Sequence, residues 1–289
     1  MRTLFSRCVP ASGGAAGYIL TRRPGIGSEI TLPNNTDIAV TSGTPFGTFG
    51  AWTLVQAAQA FDVWIDNFYA FRQGVGKAIG DALIEWSYGA ANTPLNAHRY
   101  NEIILDPAGD DAGRYGMMSN TYHTLLPAGN ALYARVSEAS AAATWRVLAV
   151  GWTAVPAFTP LDVASATGAG RYYPTNVAAG ATALNVPSAV APAFGAWTTV
   201  VDPAPNDMLV EHVMQAASAG GATGSFWIYQ LGIGAAGAEL DVGTFPTGNS
   251  EMLHNCVPPV WVKAGERLAV RAAFLAVSAR RTIIKVVDL

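Results

Sequence analysis

Apolar and polar residues alternate with a period of two along much of the chain. In "FDVWIDNF" (61–68), Phe61, Val63 and Ile65 stand against Asp62, Trp64 and Asp66. In "ALIEWSYG" (82–89), Ile84, Trp86 and Tyr88 stand against Glu85 and Ser87. "MLVEHVMQ" (208–215) sets Val210, His212 and Met214 against Leu209, Glu211, Val213 and Gln215, and "SFWIYQLG" (225–232) and "TIIKVV" (282–287) continue the style. Such alternation, bounded by Gly, Pro, Asn and Asp, predicts β-strands. No long amphipathic helical pattern separates them. The expectation is therefore an all-β chain of antiparallel sandwiches or barrels, not a βαβ fold. "WTLVQAAQAF" (52–61) could pass alone for a short helix. Its counterpart "WTTVVDPAPN" (197–206) holds two prolines and could not, so both are expected to be extended.

That counterpart belongs to an internal repeat. "FGAWT" is written at 49–53 and again at 194–198, and "GAA" at 89–91 and 234–236, both 145 residues apart. "AGNALYAR" (128–135) matches "AGERLAVR" (264–271) at 136, and "WRVL" (145–148) is paired with "IKVV" (284–287) at 139. Landmarks in one order indicate a duplicated, domain-sized unit. The shorter later offset places an extra surface loop, "ILDPAGDDAGRYG", in the first copy. The expected organisation is an irregular N-terminal arm over 1–30, a β-sandwich module over 31–155, and a linker with a second β-sandwich module over 156–289. Gly129 and Gly265 should take positive φ in Ala-Gly turns. Arg135 and Arg271 should lay their stems on apolar surface, and Trp52 and Trp197 should anchor the core or the interlayer space.

Composition changes the picture in one respect. Apolar residues make up 51% of the chain and charged residues only 13%, against about 25% in ordinary soluble domains. With 10% aromatic residues the chain is packed, not disordered. Surface so poor in charge is expected to be covered by other chains. A net charge of −3 with 17 Lys and Arg gives no basic footprint for nucleic acid. No apolar run is long enough to span a membrane. The opening twenty residues carry Arg2 and Arg7 but lack the continuous apolar run of an export signal. Cys8 and Cys256 are read as free thiols.

Candidate chemistry is sparse. His98, His123, His212 and His254 form no HExxH or clustered motif. His98 and His123 flank the inserted loop and could meet as a metal pair; His212 reads as a satisfied strand histidine. Asp106, Asp110 and Asp111 resemble a cation loop but miss the EF-hand spacing and read as a turn. Glu85, Glu102, Asp62 and Asp66 could supply carboxylate pairs only by assembly from separate strands. Trp64, Tyr69, Phe71, Tyr172 and Tyr173 could stack on sugars, although subunit packing accounts for them as well. "GGAAG" (13–17) and "AGGATG" (219–224) lack the lysine of a phosphate loop. No residue stands out as catalytic, cofactor-binding or metal-ligating, no cofactor is expected, and the chain is expected to be no enzyme.

An Ala/Gly-rich chain, an N-terminal arm, and two all-β copies carrying "LPAGNALYARV" and "VKAGERLAVRAA" together resemble structural proteins of tailed-bacteriophage virions. The likeness is to head-spike, decoration, collar or fibre-base components with jelly-roll-like β-sandwich modules. It implies a non-enzymatic part located on the virion, assembling with itself as a homo-oligomer (a trimer being the symmetric default) and with other virion proteins. A carbohydrate- or receptor-binding β-sandwich, engaging host-surface glycan, is the alternative.

Overall fold

The computed structural model describes residues 18–23, 29–73, 82–90, 95–104, 124–139, 143–153, 159–162, 170–173, 183–216, 226–247 and 252–289. Among these residues the chain is all-β: twenty strands, numbered β1 to β20 in chain order, build sandwiches with no helix. In the first half, β2 (Glu29–Leu32), β10 (Thr144–Trp152), β5 (Val63–Gln73) and β8 (Thr124–Leu126) lie side by side, and β3 (Ile38–Thr41) also pairs with β10. The facing sheet runs β4 (Thr53–Gln56), β9 (Ala131–Glu138), β6 (Ala82–Gly89), β7 (Leu95–Ile104).

The second half repeats both orders. Here β12 (Gly170–Tyr173) and β13 (Leu184–Val190) pair with β20 (Ser278–Asp288), which pairs with β15 (Met208–Ala216), which pairs with β18 (Met252–Val262). Opposite run β14 (Thr198–Val201), β19 (Leu268–Phe274), β16 (Trp227–Ile233) and β17 (Leu240–Thr247). Every pairing of the first half recurs with each strand number raised by ten. One difference is of degree. A parallel ladder from β13 to β19 joins the two sheets of the second half, where the first half has a single parallel bridge, Gly43 to Ser137.

Irregularities are copied too. β5 against β10 slips between Ile65 and Asn67, and β15 against β20 slips between Val210 and His212. β4 and β14 bulge at Val55 and Val200 against β9 and β19. A bulge reverses which side chains face inward, and this corrects the simple alternation. Val210 and Val213 are both in the core, while His212 and Met214 point the other way. Phe61, grouped by period with Val63 and Ile65, precedes β5 and is exposed. The register also corrects the last landmark. Tyr69 faces Leu148 and Met214 faces Ile283, so "WRVL" (145–148) corresponds to "RRTI" (280–283) at an offset of 135, not to "IKVV". Ser42 and Ser188 confirm it: Ala143 and Ser278, 135 apart, each donate their N–H to that serine's hydroxyl, at 2.8 and 3.1 Å.

Residues 52–61 hold β4 and no helix. Within the expected irregular arm, residues 1–17 lie outside the described residues, but Tyr18–Thr21 form β1, which pairs with β11 (Thr159–Asp162). Glu29 and Ile30 already belong to β2. Beyond Ile104, which ends β7, the inserted loop of the first copy lies outside the described residues.

Each half has its own core. Val40, Ile65, Ile84, Trp86, Val136 and Val147 are among the buried residues of the first, and Val186, Val213, Trp227, Tyr229, Val270 and Ile284 among those of the second. A third, smaller cluster joins them: Tyr69, Leu148 and Val150 from the first half with Phe226, Ile228 and Ala273 from the second.

Candidate functional site

The duplicated motifs meet at two arginine clamps. The β9 strand delivers Arg135 between the rings of Phe49 and Trp52, with its guanidinium carbon 4.5 and 4.4 Å from the ring centres. β19 delivers Arg271 between Phe194 and Trp197 at 4.7 and 4.2 Å. A cation between two aromatic faces is worth about 0.5–2 kcal/mol per face. The glycine inside each pentapeptide is required by close approach. Gly50 and Gly195 donate their N–H to Val136 and Ala272 at 2.9 and 2.8 Å, and a Cβ on them would lie 2.3 and 2.4 Å from the carbonyls of Thr41 and Pro187. The tryptophans are thus half-buried clamp jaws and not core anchors.

The Ala-Gly turns hold the strand that carries the arginine. Gly129 and Gly265 have φ of +80° and +83°, as the sequence predicts. Their N–H groups reach the carbonyls of Gln59 and Ala204, both at 2.8 Å. Asp62 and Asp207 accept the N–H groups of Ala128 and Ala264 at 2.7 and 2.8 Å. These aspartates, 145 apart, are a duplicated turn cap that the sequence reading passed over.

The clamps differ in their third partner. Arg135 Nε donates to the buried carboxylate of Glu85, whereas Arg271 Nε donates to Gln230 Oε1 at 2.6 Å. Gln230 in turn donates to Asp241 at 2.6 Å, and Gly243 N–H donates to the other Asp241 oxygen at 3.0 Å. Burial pushes the Asp241 carboxyl up to about 6, outweighing the Gly243 N–H, Arg271, Gln230 and Arg22.

The cores differ in the same complementary fashion. Glu138, 1% exposed, accepts from Ser42 Oγ and Trp145 Nε1 at 3.1 Å each and pairs with Arg72 at 2.8 Å. At the matching positions the second half has Phe274 and Arg280. Phe274 stacks on Trp227 at 4.3 Å, and Arg280, 2% exposed, lies 4.9 Å from the same ring.

Carboxylates frame the seam between the halves. Glu29 accepts the N–H of Thr244 at 2.5 Å and pairs with Arg22 at 2.9 Å. Asp37 accepts the N–H of Phe226 at 2.7 Å and pairs with Arg146 at 3.2 Å. Arg22, counted by sequence in the arm, is buried 5.2 Å from the Trp152 ring centre and 5.9 Å from that of Phe245. Its N–H donates to the Pro259 carbonyl at 2.9 Å, and its own carbonyl accepts from Trp261. Arg23 pairs with Glu266 across 2.7 Å. Tyr69 and Phe226 meet edge to face at 6.3 Å. Glu29 and Asp37 each face an arginine, so removing either partner would leave a buried charge uncompensated.

The residues singled out by sequence are scattered. His212 is half-buried on β15, with Nε2 3.9 Å from Glu211. His98, His254, Glu102, Asp66, Phe71 and Cys256 lie on strands, but their side chains are outside the described residues, as are His123, Asp106, Asp110, Asp111, Cys8 and the two glycine-rich stretches. Glu85 and Asp62 serve the first clamp and its turn. Tyr69 is in the seam, Tyr173 in the second core, Trp64 half-buried and Tyr172 exposed, so these four make no common platform. Among the described residues no three His, Cys, Asp or Glu side chains form a metal-sized group, and no helix is long and apolar enough to cross a membrane. No model of a known protein family matches the chain, and no curated protein is similar to it.

Proposed function

We propose that this chain is a non-enzymatic structural component of a tailed-bacteriophage virion. It would sit on the particle surface at head, collar or tail and assemble with itself and with other virion proteins. The observation that carries this reading is the use to which the duplicated residues are put. Phe49, Trp52, Arg135, Asp62 and Gly129 and their copies hold a strand and a turn in place, twice over. A chain that preserves a scaffold in duplicate is suited to a rigid part that repeats contacts. The carboxylates point the same way, since Glu29, Asp37, Glu85 and Glu138 are each engaged by an arginine. The low charge content and exposed Phe46, Leu54, Tyr172 and Leu240 favour coverage by neighbours. In this reading the modules span about 31–155 and 156–289. The glycan-binding alternative retains Tyr172 as its one exposed aromatic among the four described members of the proposed stacking set. Labelling of intact phage particles with antibody raised against the purified chain tests the proposal. Regular decoration of one virion substructure is expected; antigen found only in the soluble fraction of the lysate overturns it.

A further inference from the structure

Residues 18–23 lie outside the sheets of both sandwiches and are tied to each half. β1 pairs with β11 in a sheet of its own, and the next residue, Arg22, forms a parallel bridge to Val260 on β18. Its N–H donates to the Pro259 carbonyl at 2.9 Å, and its carbonyl accepts from Trp261 N–H at 3.1 Å. The backbone is thereby fastened to the second half. The two arginine side chains then reach in different directions. Arg23 grips Glu266 of the second half with both terminal nitrogens, at 2.5 and 2.7 Å, and donates to the Trp261 carbonyl at 3.0 Å. Arg22 grips Glu29 of the first half, its Nη1 lying 3.0 and 2.9 Å from the two carboxylate oxygens. Glu29 in turn accepts the N–H of Thr244 on β17. Arg22 also lies close to that strand, since a Cβ on Gly243 would stand 3.4 Å from its Nη1. β17 is the last strand of its sheet, so Glu29 takes the Thr244 N–H where a further strand would.

The two ion pairs differ in exposure. The side chains of Arg22 and Glu29 are 6% and 4% exposed, those of Arg23 and Glu266 17% and 26%. The inner pair is sealed, while water and salt reach the outer one. We propose that residues 18–23 are a strap with an ionic latch: the Arg23–Glu266 pair holds Arg22 over Glu29, and opening it frees the Glu29–Thr244 end of the seam while each sandwich stays folded. The coupling follows from the buried carboxylate. Lifting Arg22 removes the cation that balances Glu29, so Glu29 moves toward water and Thr244 loses its acceptor. The other end of the seam is independent of the strap, because Asp37 holds Phe226 with Arg146 as its counter-charge. The inference goes beyond the assembly reading and does not depend on it.

Amide-resolved hydrogen exchange on the full-length chain tests it, comparing the parent with Arg23→Ala and Glu266→Gln at low and at high salt. In both variants exchange should rise together at Trp261 and Thr244, by up to about fivefold. Phe226 and the interior amides of β9 and β19 should keep the parent's rates. Salt should raise the same two amides in the parent and change the variants little, their latch being already open. Arg23→Lys, which keeps the charge without the planar fork, should give a smaller rise and serves if Arg23→Ala is unfolded. A rise at Trp261 with none at Thr244 overturns the inference, since the strap would then fasten only itself. No rise at either amide, or an equal rise throughout both sandwiches, overturns it as well.

Discussion

Arg271 lies with its guanidinium 4.2 Å from the ring centre of Trp197, and the same relationship recurs 4.4 Å apart between Arg135 and Trp52. The two halves have exchanged core residues, but they have kept this contact, the glycine beside it and the turn below it. Arg271→Lys should destabilise the chain by about 1 kcal/mol, because an ammonium cannot lie flat between two rings and still reach Gln230. Trp197→Ala should cost more, about 2 kcal/mol, below the value for a fully buried tryptophan. Urea unfolding followed by tryptophan fluorescence measures both.

Asp207→Ala removes the acceptor for the Ala264 N–H and for Trp261 Nε1, 3.3 Å away. A loss of about 1–2 kcal/mol is expected. Asp62→Ala should lose less, since among the described residues its carboxylate accepts the turn N–H of Ala128 and no tryptophan N–H. Asp207→Asn should retain most of the stability, since its amide oxygen still accepts. Denaturant midpoints of the three variants give the order directly.

The motifs that could be read from sequence are those whose residues do one local job in both copies. "FGAWT" and the Ala-Gly turn are legible because a clamp and a positive φ each tolerate few residue types. The all-β class was legible from period-two runs. The bulges were not, because an extra residue at Asp66 or Glu211 leaves composition unchanged while reversing the inward phase for the rest of the strand. The seam was hidden for a related reason. β5 and β10 are apolar on both faces, and alternation cannot say that Leu148 meets another sheet while Val147 meets the core. Arg22 and Glu29 gave no signal because, although they pair with each other, the groups that hold them across the seam, Pro259, Trp261 and Thr244, lie more than two hundred residues away.

The seam yields its own expectation. Asp37→Ala strips the acceptor from the Phe226 N–H and the counter-charge from Arg146. Breaking such a buried pair costs about 3–5 kcal/mol. Amide-resolved hydrogen exchange should show faster exchange at Phe226, with Thr244, held by Glu29, much less affected. Glu29→Ala should give the converse pattern.

Stability should depend on pH through Asp241. Its folded pKa of about 6 lies above the ordinary 3.8. The folded state therefore holds a proton that the unfolded chain has released, and this group's contribution falls as pH rises from about 4 to 6. The full difference is at most about 3 kcal/mol at 1.36 kcal/mol per unit, less whatever solvent reaching the group screens. Asp241→Asn should flatten the stability profile in that window, measured by denaturant unfolding at a series of pH values.

Sedimentation velocity of the unmodified chain over a wide concentration range tests the central claim most directly. Growth from a 30.2 kDa species into multi-copy assemblies is the predicted result. A single 30.2 kDa species at every concentration would contradict the account of a doubled scaffold that assembles with copies of itself.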